Sequence, residues 1–114
     1  MKIRLKRVYE APEEADGLRI LVDRLWPRGL RKEDAALHRW ARELSPSDEL
    51  RKELHHDPAR WDEFKARYFE ELDALPDAVR QLREEVGKGT VTLLYAAKDT
   101  ERNNAVALAE YLEK

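Results

Sequence analysis

The sequence predicts an α/β fold: a single small domain over residues 1–114, with a mainly parallel three- to four-stranded sheet flanked by helices. Three observations carry this expectation. Two almost continuously apolar runs, Leu18 to Val22 and Thr90 to Ala96, have the composition of strands covered on both faces. A third segment alternates Ile3 and Leu5 with Lys2, Arg4 and Lys6, the period of a half-buried strand. Helical patterns separate the buried runs, which implies parallel pairing and helices packed on the sheet. Strand order does not follow from the pattern, and 114 residues is an ordinary length for one domain with one core.

Taken in order, the first strand is followed by an acidic turn region from Ala11 to Gly17. The second strand ends at Asp23-Arg24-Leu25-Trp26-Pro27-Arg28-Gly29, where Pro27 and Gly29 break regular structure. Leu37, Trp40, Ala41 and Leu44 have helical spacing, yet a short strand fits residues 37–44 almost as well. Ser47 is an N-cap for a short helix through Leu54. Asp57-Pro58 is a stronger start signal, with the carboxylate at the cap and proline at the first helical position. Beyond it, Trp61, Phe64, Tyr68, Leu72 and Leu75 recur at steps of three and four, an amphipathic stripe expected to be core. Val79, Leu82 and Val86 mark a further helix closed by Gly87 and Gly89. After the last strand, Asp99 or Thr100 is expected to cap a terminal helix packed through Ala105, Leu108, Ala109 and Leu112.

Composition excludes several chemistries. The chain has no cysteine, which removes disulfides, thiolate catalysis, cysteine zinc sites and iron–sulfur clusters. Acid and base nearly cancel at a net charge of −2, so the strong basic excess expected of a nucleic-acid binder is missing. The first residues carry charge at alternate positions and no apolar core, unlike a signal peptide, and no apolar run reaches the roughly 18–20 residues that span a bilayer. A cytoplasmic protein is expected. The chain has no Gly-x-Ser-x-Gly elbow, and its four glycines assemble neither a Walker loop nor a dinucleotide fingerprint. His55-His56-Asp57 is poorly spaced for a chelate, so neither a metal nor a cofactor is expected.

The remaining polar residues cluster at two strand ends. In open α/β sheets ligands bind beyond the carboxyl ends of the strands, where loops and helix N-termini converge. Asp23, Arg24, Trp26, Arg28 and Arg31 follow the second strand; Lys98, Asp99, Arg102, Asn103 and Asn104 follow the last. If those strands are parallel, both clusters share one edge of the sheet. Arginine forks, a lysine and a helix N-terminus favour an anion such as phosphate or carboxylate. A structural account stands beside this one: Asp23 pairs with Arg24 or Arg28 to hold a tight loop, while Trp26 and Pro27 pack as a lid on the core. His55 or His56, just before a helix, could serve as a general acid–base group.

Val22-Asp23-Arg24-Leu25-Trp26-Pro27-Arg28-Gly29, Ser45-Pro46-Ser47 with Leu50-Arg51-Lys52, and Leu93-Leu94-Tyr95-Ala96-Ala97-Lys98-Asp99 with Asn103 resemble the YeaO-like proteins of the domain-of-unknown-function 488 family. The resemblance runs from about Lys6 to Leu112. It implies an intracellular α/β protein of no established activity. It also marks Asp23, Arg24, Trp26, Pro27, Arg28, Gly29, His55, Lys98 and Asn103 as motif positions. The leading expectation is an enzyme or binder of a small anionic ligand. Arg24, Trp26, Arg28, Lys98 and Asn103 would hold that ligand, and Asp23 or His55 would orient it or transfer protons. The alternative is a non-catalytic interaction module whose Trp26 loop docks a protein partner, since Trp and Arg are frequent interface anchors.

Overall fold

The computed structural model describes residues 1–114. Four strands, β1 (Lys2–Arg7), β2 (Leu18–Leu21), β3 (Arg39–Trp40) and β4 (Thr90–Tyr95), form one sheet in the order β1-β4-β2-β3. Every pairing is parallel, with Leu5 and Ile20 both opposite Leu93, and Trp40 opposite Leu21. All carboxyl ends therefore lie on one edge. The helices are α1 (Lys32–Ala35), α2 (Asp48–His56), α3 (Trp61–Asp73), α4 (Pro76–Val86) and α5 (Asn104–Leu112). No helix is long and apolar enough to cross a membrane.

The two faces of the sheet are covered unequally. On one face Ile20, Val22, Val91, Leu93 and Tyr95 meet Phe64, Tyr68 and Leu72 of α3, Leu82 of α4 and Leu108 of α5, forming the main core. Burying a side chain of this size stabilises the fold by about 1.5–3 kcal/mol, so this layer supplies most of the apolar driving force. The other face carries no long helix. Val8, Leu21 and Leu94 form a second, small cluster there, roofed by Trp26, Leu30 and Leu37 from the segment between β2 and β3 and by Trp40 of β3 itself.

Next to that cluster the layer is ionic. Asp16, fully buried in the 3-10 turn Glu14–Asp16, accepts from Lys6 Nζ at 3.1 Å and from Arg19 Nη1 at 2.7 Å, with Arg4 Nη1 at 3.2 Å. Burial alone would push this carboxyl up, but the Glu13 backbone N–H and the Arg19 and Lys6 side chains outweigh it and hold the pKa down to about 2. Strand β1 consequently departs from its alternating pattern: Leu5 is 39% exposed while Lys6 is buried. As an edge strand β1 lies at the margin of the helical cover, whereas the crossover from β1 to β2 folds back over Lys6. Gly17 makes that crossover fit. Its φ is +62°, and a Cβ there would sit 2.2 Å from the Thr90 carbonyl oxygen.

Several local expectations hold. Ser47 Oγ accepts from Leu50 N at 3.3 Å and Asp57 Oδ1 from Ala59 N at 3.2 Å, so both caps are used. Residues 37–44 prove to be both things in miniature, the two-residue strand β3 followed by a 3-10 turn, Arg42–Leu44. Others need correction. Leu75 is not part of the α3 stripe; it lies beyond the helix end, 37% exposed, at the cap position of α4. The cap of α5 is Asn103, whose Oδ1 accepts from Val106 N at 3.0 Å, because Asp99 Oδ1 is already occupied by the N–H groups of Glu101 and Arg102 in a separate turn.

Candidate functional site

Where β2 and β4 end side by side, their loops diverge and leave a cleft of about 590 Å³. One wall is the loop after β2, a second is the loop from β4 to α5, and the third comes from α2 and the segment leading into α3. The two polar clusters expected at the strand ends thus meet in one place, and Arg28 and Lys98 line the same cleft.

Asp23 continues β2 into this cleft, half-buried. Its Oδ2 accepts from the Ala96 backbone N–H at 3.0 Å, and its Oδ1 from Asn104 Nδ2 at 3.1 Å. Asn104 Nδ2 also donates to the Val22 carbonyl at 2.8 Å, so one amide ties the end of β2 to the start of α5. The structure corrects the expected pairing: Asp23 forms no ion pair with Arg24 or Arg28. Arg24 instead donates from Nε to the Pro46 carbonyl at 3.0 Å, toward the start of α2. Burial raises the Asp23 carboxyl above the ordinary aspartate range, against the opposing pull of the Asn104 and Ala96 hydrogen bonds and of the Arg51 charge.

Trp26 is half-buried and fixed. Its indole N–H donates to the Leu30 carbonyl at 2.7 Å, and its ring stands edge-on to Trp40 at 5.5 Å between centroids. It closes the second core and also forms cleft wall. Pro27 beside it is buried, while Arg28, Lys98 and Arg102 are exposed at the cleft's lining. Asn103 belongs to the lining too, but its side chain is committed as the α5 cap and as a donor to the Asp99 carbonyl at 2.9 Å. Arg31 lies apart, paired with Asp34 at 3.0 Å.

His55, in the last turn of α2, reaches the cleft; His56 does not. No group of three or more His, Asp or Glu side chains converges as metal ligands would. Arg51 is the site residue that composition and motif reasoning missed. It is placed on the cleft by α2, and its Nε is buried without a hydrogen-bond partner. The available signal was its spacing, since Arg51 and His55 are i and i+4 on one helix and share a face. Leu54, Phe64 and Pro58 supply an apolar wall opposite the cationic loops. In all, five cationic side chains, Arg24, Arg28, Arg51, Lys98 and Arg102, line the cleft against the two carboxylates Asp23 and Asp99. This occurs in a chain whose net charge is −2, so the positive field is local to the cleft.

Residues 2–114 match the family model described as the inactive DUF488-N3 subclade. The chain is similar to the uncharacterised protein YeaO of Escherichia coli, with 46% identity over 98% of this chain and 97% of that protein. It is also similar to the uncharacterised protein Rv3073c of Mycobacterium tuberculosis, with 43% identity over 97% of this chain and 93% of that protein. No solved structure matches the chain.

Proposed function

Because this chain belongs to the inactive DUF488-N3 subclade, we propose that it is a cytoplasmic binding protein that holds a small anionic molecule, bearing phosphate or carboxylate, without turning it over. The observation that carries this reading is the convergence of five cations on one cleft in an otherwise slightly acidic protein. Exposed cations scattered over a surface attract weakly, but those that line one cleft act on one ligand together. The start of α5 adds to this, since a helix N-terminus carries about half a unit of positive charge. Arginine forks match the planar or tetrahedral oxygens of carboxylate and phosphate.

In this reading Arg28, Lys98 and Arg102 hold the anion, Arg24 and Arg51 extend the field inward, and Asp23 and His55 orient the ligand. The family description favours binding over catalysis for the cleft, and Asn103 serves by starting α5 at the right place. The rival reading, a Trp26 loop that docks a protein partner, has less behind it. The indole is anchored by Leu30 and Trp40 and is spent on the protein's own second core.

A thermal-shift screen of the full chain with phosphorylated and carboxylated metabolites tests the proposal. A ligand present at about 100 times its Kd stabilises the native state by about 2.7 kcal/mol, a shift that is easily read. At least one anion should do this, and the double variant Arg28→Ala, Lys98→Ala should lose the shift. A screen in which no anion stabilises the protein, or in which the double variant responds like the wild type, would remove the proposal.

A further inference from the structure

Asp23 is a carboxylate set among cations with no cation bound to it. Its two oxygens receive one hydrogen bond each, from Ala96 N and Asn104 Nδ2. An ionised carboxylate offers about four acceptor positions, so about two remain unfilled. The group is half-buried and lines the cleft, whereas Arg28, Lys98 and Arg102 are exposed. The cleft is therefore cationic at its outer loops and has a carboxylate with spare acceptor capacity farther in.

This arrangement discriminates among anions. Inorganic phosphate would satisfy the arginines and lysine, but its own P–OH can reach Asp23 only by drawing the dianion inward from the exposed cations, and it leaves the apolar wall uncovered. A ligand ammonium would suit Asp23 yet be repelled by the five cations around it. A hydroxyl donates without charge and so suits both constraints. The apolar wall of Leu54, Pro58 and Phe64 suits the carbon skeleton that joins hydroxyl to phosphate.

We infer that the ligand is a phosphorylated polyol or sugar, its phosphate held by Arg28, Lys98 and Arg102 and one of its hydroxyls donating to Asp23. This rests on the anion-binding reading above and adds to it the second half of the ligand.

The test is isothermal titration of the full chain with three probes: inorganic phosphate, glycerol 3-phosphate and propyl phosphate. The last two share phosphate and a three-carbon skeleton and differ in their hydroxyls. A hydrogen bond to a charged, partly desolvated acceptor is expected to make glycerol 3-phosphate bind about 10–100-fold tighter than propyl phosphate. In Asp23→Asn that ratio should fall to near one. The comparison of probes on the wild type stands even if the variant does not fold. If both organophosphates bind within about threefold of each other, the hydroxyl inference is overturned while the anion reading stands. If none of the three binds, both are overturned.

Discussion

The Oδ1 atom of Asp23 lies 3.1 Å from Nδ2 of Asn104, a hydrogen bond across 81 residues that fastens the loop after β2 to the first turn of α5. The contact decides what kind of group Asp23 is. It is a neutral-donor clamp, not one half of an ion pair, and the two make different predictions for its removal. Loss of one partner from a buried ion pair costs about 3–5 kcal/mol. Asp23→Asn instead removes a charge that burial penalises and leaves one N–H facing another, so its cost at neutral pH should stay below about 1.5 kcal/mol. Urea melts of the two proteins measure this, and a loss beyond about 3 kcal/mol would contradict the clamp.

The same group predicts a pH dependence. Because the folded Asp23 carboxyl is raised, the native state binds its proton more tightly than the unfolded chain does. Its contribution therefore favours folding at acid pH and is lost as pH rises through the folded value. The wild type should lose stability relative to Asp23→Asn as pH is raised from about 3.5 to about 7. Parallel pH profiles for the two proteins would show that the carboxyl is not raised.

Asp16 predicts the opposite sign. Its folded pKa is held down to about 2, so its contribution is present above the ordinary aspartate range and lost as pH falls toward that value. Asp16→Asn takes the shared carboxylate from Lys6 and Arg19, both buried. Lys6 keeps Glu13 and Arg19 keeps the Ala35 and Ala36 carbonyls, so the cost at neutral pH should lie at the low end of the range for breaking a buried pair, about 3 kcal/mol. Circular-dichroism melts at neutral pH and under acid would read both effects. A cost below about 1 kcal/mol would mean that the ionic layer is solvated and dispensable.

What the chain disclosed in advance follows from how local each feature is. The runs Leu18–Val22 and Thr90–Ala96 announce strands buried on both faces, and parallel pairing then places Arg28 and Lys98 at one edge without further information. Arg51 could not be located that way, because its place on the cleft depends on how α2 packs beside α3. Nor could the partners of Asp23, which come from Ala96 and Asn104, 73 and 81 residues away. Lys6 reads as the solvent face of an alternating strand; it is buried because the crossover that follows the strand folds back and supplies Asp16, ten residues on. The cap of α5 is ambiguous for a local reason, since Asp99 and Asn103 both suit a cap and only Asn103 stands immediately before the helix.

Phe64 belongs to two environments at once. It is 3% exposed, stacked on Trp61 at 5.6 Å between centroids, and also forms part of the cleft's apolar wall. Phe64→Ala removes core contacts, and the space it leaves joins an existing open cleft. The cost should sit near the low end of the range for such truncations, about 3 kcal/mol. Denaturant melts check it, and a change under about 1 kcal/mol would make the α3 stripe a binding face and not core.

Arg28 and Lys98 separate binding from folding most cleanly. Both are exposed and neither takes part in an ion pair within the chain, so alanine at either position should change stability by no more than about 0.5 kcal/mol. Their effect on phosphate binding should be larger. Each exposed charge acting on a bound anion is worth about 0.5–1.5 kcal/mol, which is roughly 2–10-fold in affinity per residue. If both charges act on one anion, the field of each is screened by the same salt, so binding to the wild type should weaken steeply as ionic strength rises. The double variant should show a much flatter salt dependence, because fewer charges remain to be screened. Titrations with inorganic phosphate at about 0.05 M and about 0.5 M salt distinguish the cases. Should the single variants keep wild-type affinity and wild-type salt dependence, the anion is held elsewhere and the two strand-end clusters merely share an edge.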